Sequence, residues 1–316
     1  MKARIFTFLT AGIVLAACNK NNDIDPVTPQ DNLKDKPITV TAGVEGMLTR
    51  AGYEGTSVLP ETFYLSITQD TEDATSKYNY TNLLMTRGAD NTYTAPASAN
   101  LLWKDSNRDV EVNAYTTNAT TFTVQTDQST KDGVLASDLL GAVSTTEGDV
   151  TISGDNISVR FRHLLCKLDV IYSWGTEFDN ATKSIKNVVY NGFGTDVTLD
   201  RATATITSGS STDIITTFVG KTTVGEEEKD MSEAIFAPQT GNPKIVITAQ
   251  IDGVERIFSL NVTAPTGGFV GGNRYTMNVA IGGTATQTGE MNISKGWETG
   301  DANGEADGTT GNMATN

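Results

Sequence analysis

The sequence holds one histidine, His163, and two cysteines, Cys18 and Cys166, in 316 residues. Any Ser-His-Asp or Cys-His site would have to use His163. That residue alternates with Phe161 and Leu165 in an apolar stretch, which reads as a structural, hydrogen-bonded histidine. Cys166 follows three residues later, so on one strand it faces the opposite side and makes a poor dyad partner. No Cys/His cluster has zinc spacing. The Gly267–Gly272 run, GGFVGG, lacks the following helical pattern of a phosphate cradle. Asp127 to Gly133 offers scattered oxygens without the EF-hand spacing or its closing glutamate. Glu226-Glu227-Glu228 reads as a solvated loop. A carboxylate pair drawn from distant strands leaves no signature in spacing, and nothing here points to one. The expectation is a protein that is not an enzyme and holds no metal or cofactor.

Basic residues are also scarce, 23 against 38 acidic, for a formal charge of −15. An acidic surface without a basic patch repels phosphate backbones, which argues against nucleic-acid binding. Trp103, Trp174 and Trp297 are the only tryptophans, each in a strand-like context that suits core packing rather than an exposed platform. Long amphipathic helical windows are missing, while 30 glycines and abundant Thr, Asn, Asp and Ser crowd the segments between apolar runs. That mixture suits an all-β chain with many turns, long enough for two ordinary domains.

One long apolar run does occur, at the start. Lys2 and Arg4 precede the apolar Ile5 to Ala17, which is too short to span a bilayer comfortably and has the form of a signal h-region. It closes in Leu15-Ala16-Ala17-Cys18, which resembles the bacterial lipobox. The resemblance implies cleavage between Ala17 and Cys18 and acylation of Cys18, with several chains giving stable anchoring in the outer membrane. Loss of the leader removes Lys2 and Arg4 and deepens the charge to −17. With Cys18 lipidated, Cys166 has no partner, and its place beside Leu165 and Leu168 reads as a small buried hydrophobe.

The expected layout is a signal peptide over 1–17, a polar tether over 18–36 and β-sandwich domains over 37–158 and 159–297. A disordered, Gly- and Asp-rich tail covers 298–316. Ile157 to Tyr172 alternates with a period near two, as one long strand or two broken near Leu164-Leu165. Pro37 to Val44, PITVTAGV, alternates Ile38, Val40 and Ala42 as a first strand. Lys244 to Val262 reads as a hairpin turning at Asp252-Gly253. Gln125 to Gly141 reads as a polar loop. Turn signals spaced about ten residues apart fit sandwiches.

Several short stretches together resemble the fimbrillin family, the type V pilins of Bacteroidales, in its minor or accessory branch. They are the lipobox at Leu15–Cys18, Leu48-Thr49-Arg50-Ala51, Asp127–Thr130 with Ser137–Leu140, Phe161-Arg162-His163 with Lys167-Leu168, Asn273–Val279 and Ile293–Trp297. The resemblance implies two tandem transthyretin-like (Greek-key) sandwiches. It further implies an outer-membrane lipoprotein precursor, exposed at the cell surface and assembled into a fimbrium. An Arg-specific protease would cut between Arg50 and Ala51, the first strand would leave, and a strand from another fimbrial subunit would enter by β-augmentation. A host or bacterial surface ligand is the further partner it implies. The tail beyond Trp297 lacks the alternation a donor strand needs, and Met291 to Trp297 is the late candidate, so a tip or accessory position fits better than a stalk. The alternative is a monomeric surface lipoprotein that binds glycans. The lipobox reading has a direct check: cells expressing the chain should incorporate radiolabelled palmitate into it, and the Cys18→Ala variant should not. Label retained in the variant would place the lipid elsewhere.

Overall fold

The structure, a computed structural model, describes residues 32–45, 59–105, 109–209, 212–282, 286–295 and 297. Ala17, Cys18, Arg50 and Ala51 lie outside these residues, as do the signal peptide and the tail from 298. The described residues are nearly all β, with one helix of six residues and two single-turn 3-10 segments.

The first nine strands are β1 (Thr39–Val44), β2 (Thr62–Thr68), β3 (Tyr80–Arg87), β4 (Thr92–Thr94), β5 (Glu111–Tyr115), β6 (Thr121–Thr123), β7 (Leu140–Val143), β8 (Val150–Ser153) and β9 (Asn156–His163). All except β6 join one sheet in the order β1-β4-β3-β2-β5-β7-β9-β8, and β1 also pairs with β9. The sheet therefore closes on itself as a flattened barrel. Closure removes the open edges that would otherwise template aggregation. Its interior holds Phe63, Leu65, Ile67, Met85, Tyr93, Trp103, Val112, Ile157, Val159 and Phe161. Inward alternation supplies several of them, as TFYLSIT in β2 demonstrates with Phe63, Leu65 and Ile67 buried.

The remaining strands are β10 (Cys166–Trp174), β11 (Lys183–Gly194), β12 (Asp196–Asp200), β13 (Thr205–Ser208), β14 (Thr212–Thr216), β15 (Phe218–Val224), β16 (Glu227–Phe236), β17 (Lys244–Ile251), β18 (Val254–Asn261), β19 (Asn273–Ile281) and β20 (Thr286–Lys295). A five-stranded sheet, β15-β16-β10-β19-β20, faces a four-stranded one, β14-β11-β17-β18. Leu168, Val170, Tyr275 and Met277 from one meet Val188, Tyr190, Ile245 and Ile247 from the other in a second core. Asp252 and Gly253 both take positive φ, 51° and 79°, so the β17–β18 hairpin turns with the right-handed strand twist.

The chain breaks at Leu164-Leu165, the second of the two alternatives left open by the sequence. β9 stays in the barrel and β10 enters the second sheet. The two halves are stitched elsewhere as well. The excursion between β5 and β7 leaves the barrel: β6 pairs with β12, and Val124, Val134 and Leu139 pack into the second core although they lie N-terminal to residue 158. It also contains the helix α1 (Lys131–Ala136), where a polar loop was expected; the Thr130 hydroxyl accepts the Gly133 N–H and caps it. Gln128 is fully buried there. Its amide donates to the Ile235 carbonyl and accepts the Ile235 N–H, at 2.7 and 2.8 Å, and so stands in for a neighbouring strand at the edge of β16.

Four charges are buried together on the five-stranded sheet. Lys167 lies 2.7 Å from Glu233 and 3.3 Å from Asp169, and Arg274 donates to Asp169. Removal of any one would leave an uncompensated charge out of water. Burial pushes the Asp169 carboxyl up, but Arg274 and Lys167 outweigh it and hold the group below the usual carboxylate range. A lowered folded-state pKa stabilises the fold above the unfolded value of about 3.9, and that contribution is lost as pH falls through the folded value. Urea midpoints should therefore drop in acid, and Asp169→Asn should be markedly weaker than wild type near neutrality, with the gap narrowing as acid protonates Asp169. A gap of equal size near neutrality and in acid would remove Asp169 as the cause.

Candidate functional site

The strand that closes the barrel is attached unequally on its two sides. β1 runs parallel to β9 over six residue pairs, Thr39↔Asn156 to Val44↔Phe161. On its other side it meets β4 at only two, Val40↔Tyr93 and Thr41↔Thr92. Ahead of it, the Pro37–Leu102 bridge and bonds from Asp35 N–H and Ile38 N–H to the carbonyls of Trp103 and Leu101 extend the seam. Leu33, Ile38, Val40 and Ala42 point into the core and Thr39 points out, as the sequence alternation requires.

Beneath β1 lies a bridge of rings. Phe63, from β2 on the far wall, contacts Tyr93 of β4 at 4.7 Å between centroids and Phe161 of β9 at 5.1 Å, edge to face. The Tyr93 hydroxyl donates to the Pro60 carbonyl at 2.6 Å, and burial pushes its pKa up to about 12. The Trp103 indole donates to the Asp155 carbonyl, which also accepts from Thr39 N–H. Taken away, β1 would leave an elongated apolar groove, with the rings as its floor and the free edge of β9 as one wall. That wall presents unpaired backbone groups, so an extended peptide fits it better than any small molecule.

The residues considered for chemistry are occupied structurally. His163 Nδ1 lies 2.9 Å from Asp138, and its ring stacks on Trp297 at 3.8 Å. Cys166 is buried in the second core, which pushes its thiol pKa well up and keeps it un-ionised. Asp127 accepts from the Ser129 N–H and hydroxyl, so its oxygens serve a local turn. Among the described residues, no group of three or more His, Cys, Asp and Glu is arranged to hold a metal. Trp103 and Trp297 are buried, and the half-buried Trp174 donates to Asp230 and packs on Phe178. The Gly267–Gly272 run is tightly docked: Gly272 N–H donates to the Leu165 carbonyl, and a Cβ at Gly271 would collide with the Leu164 carbonyl. Phe269 within it joins Phe193, Phe236 and Tyr275 in an aromatic cluster. Glu227 and Glu228, expected in a loop, begin β16 with exposed side chains.

Comparison with known proteins adds the decisive observation. The fimbrillin-like family pattern matches residues 49–297. The chain belongs to the fimbrillin-like family. The matched span begins C-terminal to β1, so the strand that closes the barrel lies outside it. Among solved structures, the chain resembles a proposed cell adhesion protein from Bacteroides ovatus, with TM-score 0.61 and 14% identity over 82% of this chain and 97% of that one. A second, from Bacteroides uniformis, gives 0.54 and 17% over 84% and 98%. At these identities the likeness bears on fold alone. No curated protein matches the sequence.

The ring bridge yields a stability prediction. Phe63→Ala should cost about 3–5 kcal/mol in urea unfolding, because it opens a cavity that flanking strands cannot fill. A loss below about 1 kcal/mol would show that the bridge does not support the barrel.

Proposed function

We propose that this fimbrillin-like protein is a fimbrial adhesive subunit, exported as an outer-membrane lipoprotein through Cys18 and matured by cleavage between Arg50 and Ala51. Its two halves are tandem transthyretin-like sandwiches, and β1 is the strand surrendered in assembly. The single observation that carries this reading is the position of β1. It closes the first barrel, ends at Val44 just before the segment containing Arg50, and precedes the family-matched span.

The energetics favour replacement over simple release. Burying a Leu, Ile or Val side chain contributes about 1.5–3 kcal/mol, and β1 with its lead-in buries Leu33, Ile38, Val40 and Ala42. Their combined loss is on the order of the whole stability of a domain, about 5–15 kcal/mol. A cut chain therefore keeps β1 until another strand takes the groove. Coupling exposure of the β9 edge to entry of that strand also avoids a naked, sticky edge.

β20 is a poor donor. It pairs along β19 from Ile281 to Asn273, with Met291 buried and Ile293 packed on the second core, so its departure would open the second sandwich. An acceptor without a free donor suits a tip or accessory position. The glycan-binding alternative lacks an exposed aromatic platform among the described residues, since Trp103 and Trp297 are inside and Trp174 is engaged.

Limited trypsin digestion of the native protein, read by fragment mass and by size-exclusion chromatography, tests the proposal. A single early cut after Arg50, with the N-terminal fragment retained until a competing strand displaces it, is the expected result. Resistance at Arg50 while other sites are cut would overturn the maturation step, and ladder formation by the cut protein alone would move it to a stalk position.

A further inference from the structure

The groove under β1 limits size as well as polarity, a point that rests on the strand-replacement reading above. Tyr93 lies opposite Val40, and Phe161 lies opposite Val44. Ala42 falls between these positions, opposite Val159. The two flanking rings converge on Phe63 from the far wall, so the bridge Tyr93–Phe63–Phe161 passes under β1 at the level of Ala42. Ala42 is buried with only a methyl group to place there. A longer side chain would drive into rings already in contact, and cores resist such insertion.

We infer that the strand entering this groove runs parallel to β9, carries Ala, Gly or Ser at the Ala42 position, has β-branched residues at the positions of Ile38, Val40 and Val44, and belongs to a different polypeptide. The last clause follows from this chain's own strands. Lys244–Ile251, KIVITAQI, repeats the inward pattern of Ile38–Val44 with Ile245, Ile247, Ala249 and Ile251. That strand is held between β11 and β18 and is not free to leave. β20 fails on chemistry. Aligned with Met291 and Ile293 in the first two positions, it puts Lys295 where Ala42 sits; shifted back by two, it puts Ile293 there. Read one residue out of phase, the same sequence offers Thr288, Glu290 and Asn292. A second copy's own β1 would fit, but the cut after Arg50 severs it from its subunit, so it cannot link two subunits; apart from β1, a second copy supplies no suitable strand from its described residues, and assembly at this groove is heterotypic.

The test uses the full chain cut after Arg50 and three fluorescein-labelled peptides: residues 32–44 in their own sequence, the same with Ala42→Leu, and residues 286–297. Binding is followed by fluorescence anisotropy and native mass spectrometry. The own-sequence peptide should exchange with β1, and the Ala42→Leu peptide should bind at least about ten-fold more weakly. The 286–297 peptide should not compete. Equal binding of the Ala42→Leu peptide would overturn the size limit, and competition by 286–297 would overturn the heterotypic assignment, with strand replacement itself left standing in both cases. Failure of even the own-sequence peptide to exchange would overturn strand replacement and this inference together. In the uncut chain, Ala42→Leu should melt below Ala42→Ser; equal melting would also remove the size limit.

Discussion

A β-sheet must do something with its edges, and the first half of this molecule does so through one six-residue strand. Without β1, β4 and β9 would both be open, with a groove of apolar and aromatic side chains between them. The interior depends on that closure as much as the sheet does, because Tyr93 and Phe161 reach Phe63 only while both flanks are held in register. A barrel closed by one strand at the end of the chain concentrates the dependence of the whole sheet in that strand.

The second half makes the contrast internally. β10 opens it as β1 opens the first, lying between an antiparallel neighbour, β16, and a parallel one, β19. The arrangement is the same, but the extent differs. β10 pairs over seven residues with β16 and eight with β19, is buried on both faces, and anchors the Lys167–Asp169–Glu233–Arg274 network. β1 has six pairs and two, and no buried charge. The buried quartet makes β10 costly to move, since any displacement separates charges already stripped of water. Two strands in equivalent places thus differ in how firmly they are held.

Local signals were legible in the sequence, and distant pairings were not. Asp252-Gly253 specifies its hairpin because a primed turn needs positive φ at both residues, and the apolar doublet Leu164-Leu165 marks a true break. The helix α1 escaped notice because six residues containing Gly133 carry no amphipathic period, and only its cap, Thr130, signals it. Glu227 and Glu228 looked like a loop because their strand faces solvent there. At the candidate site, the alternation of Ile38, Val40 and Ala42 identified a strand but said nothing about its neighbours. Thr39↔Asn156 joins residues more than a hundred positions apart, and parallel pairing leaves no turn dipeptide behind.

Parallel pairing also shapes how the strand could be exchanged. A hairpin partner would return at high local concentration after every opening, because a short turn ties it to its neighbour. β1 has no such turn to β9 or β4; its covalent link to the barrel runs through residues 46–58 to Leu59. The proposed cut in that segment would convert an intramolecular strand into a dissociable peptide. On that proposal the groove would remain occupied yet exchangeable, and its apolar surface would stay covered at every stage. The requirement that the newcomer match Ile38, Val40 and Ala42 turns the same groove from a general trap for extended chains into a selective one. In the proposed exchange, affinity would come from the β9 backbone, which any strand can satisfy, and discrimination from the rings beneath Ala42, which few can.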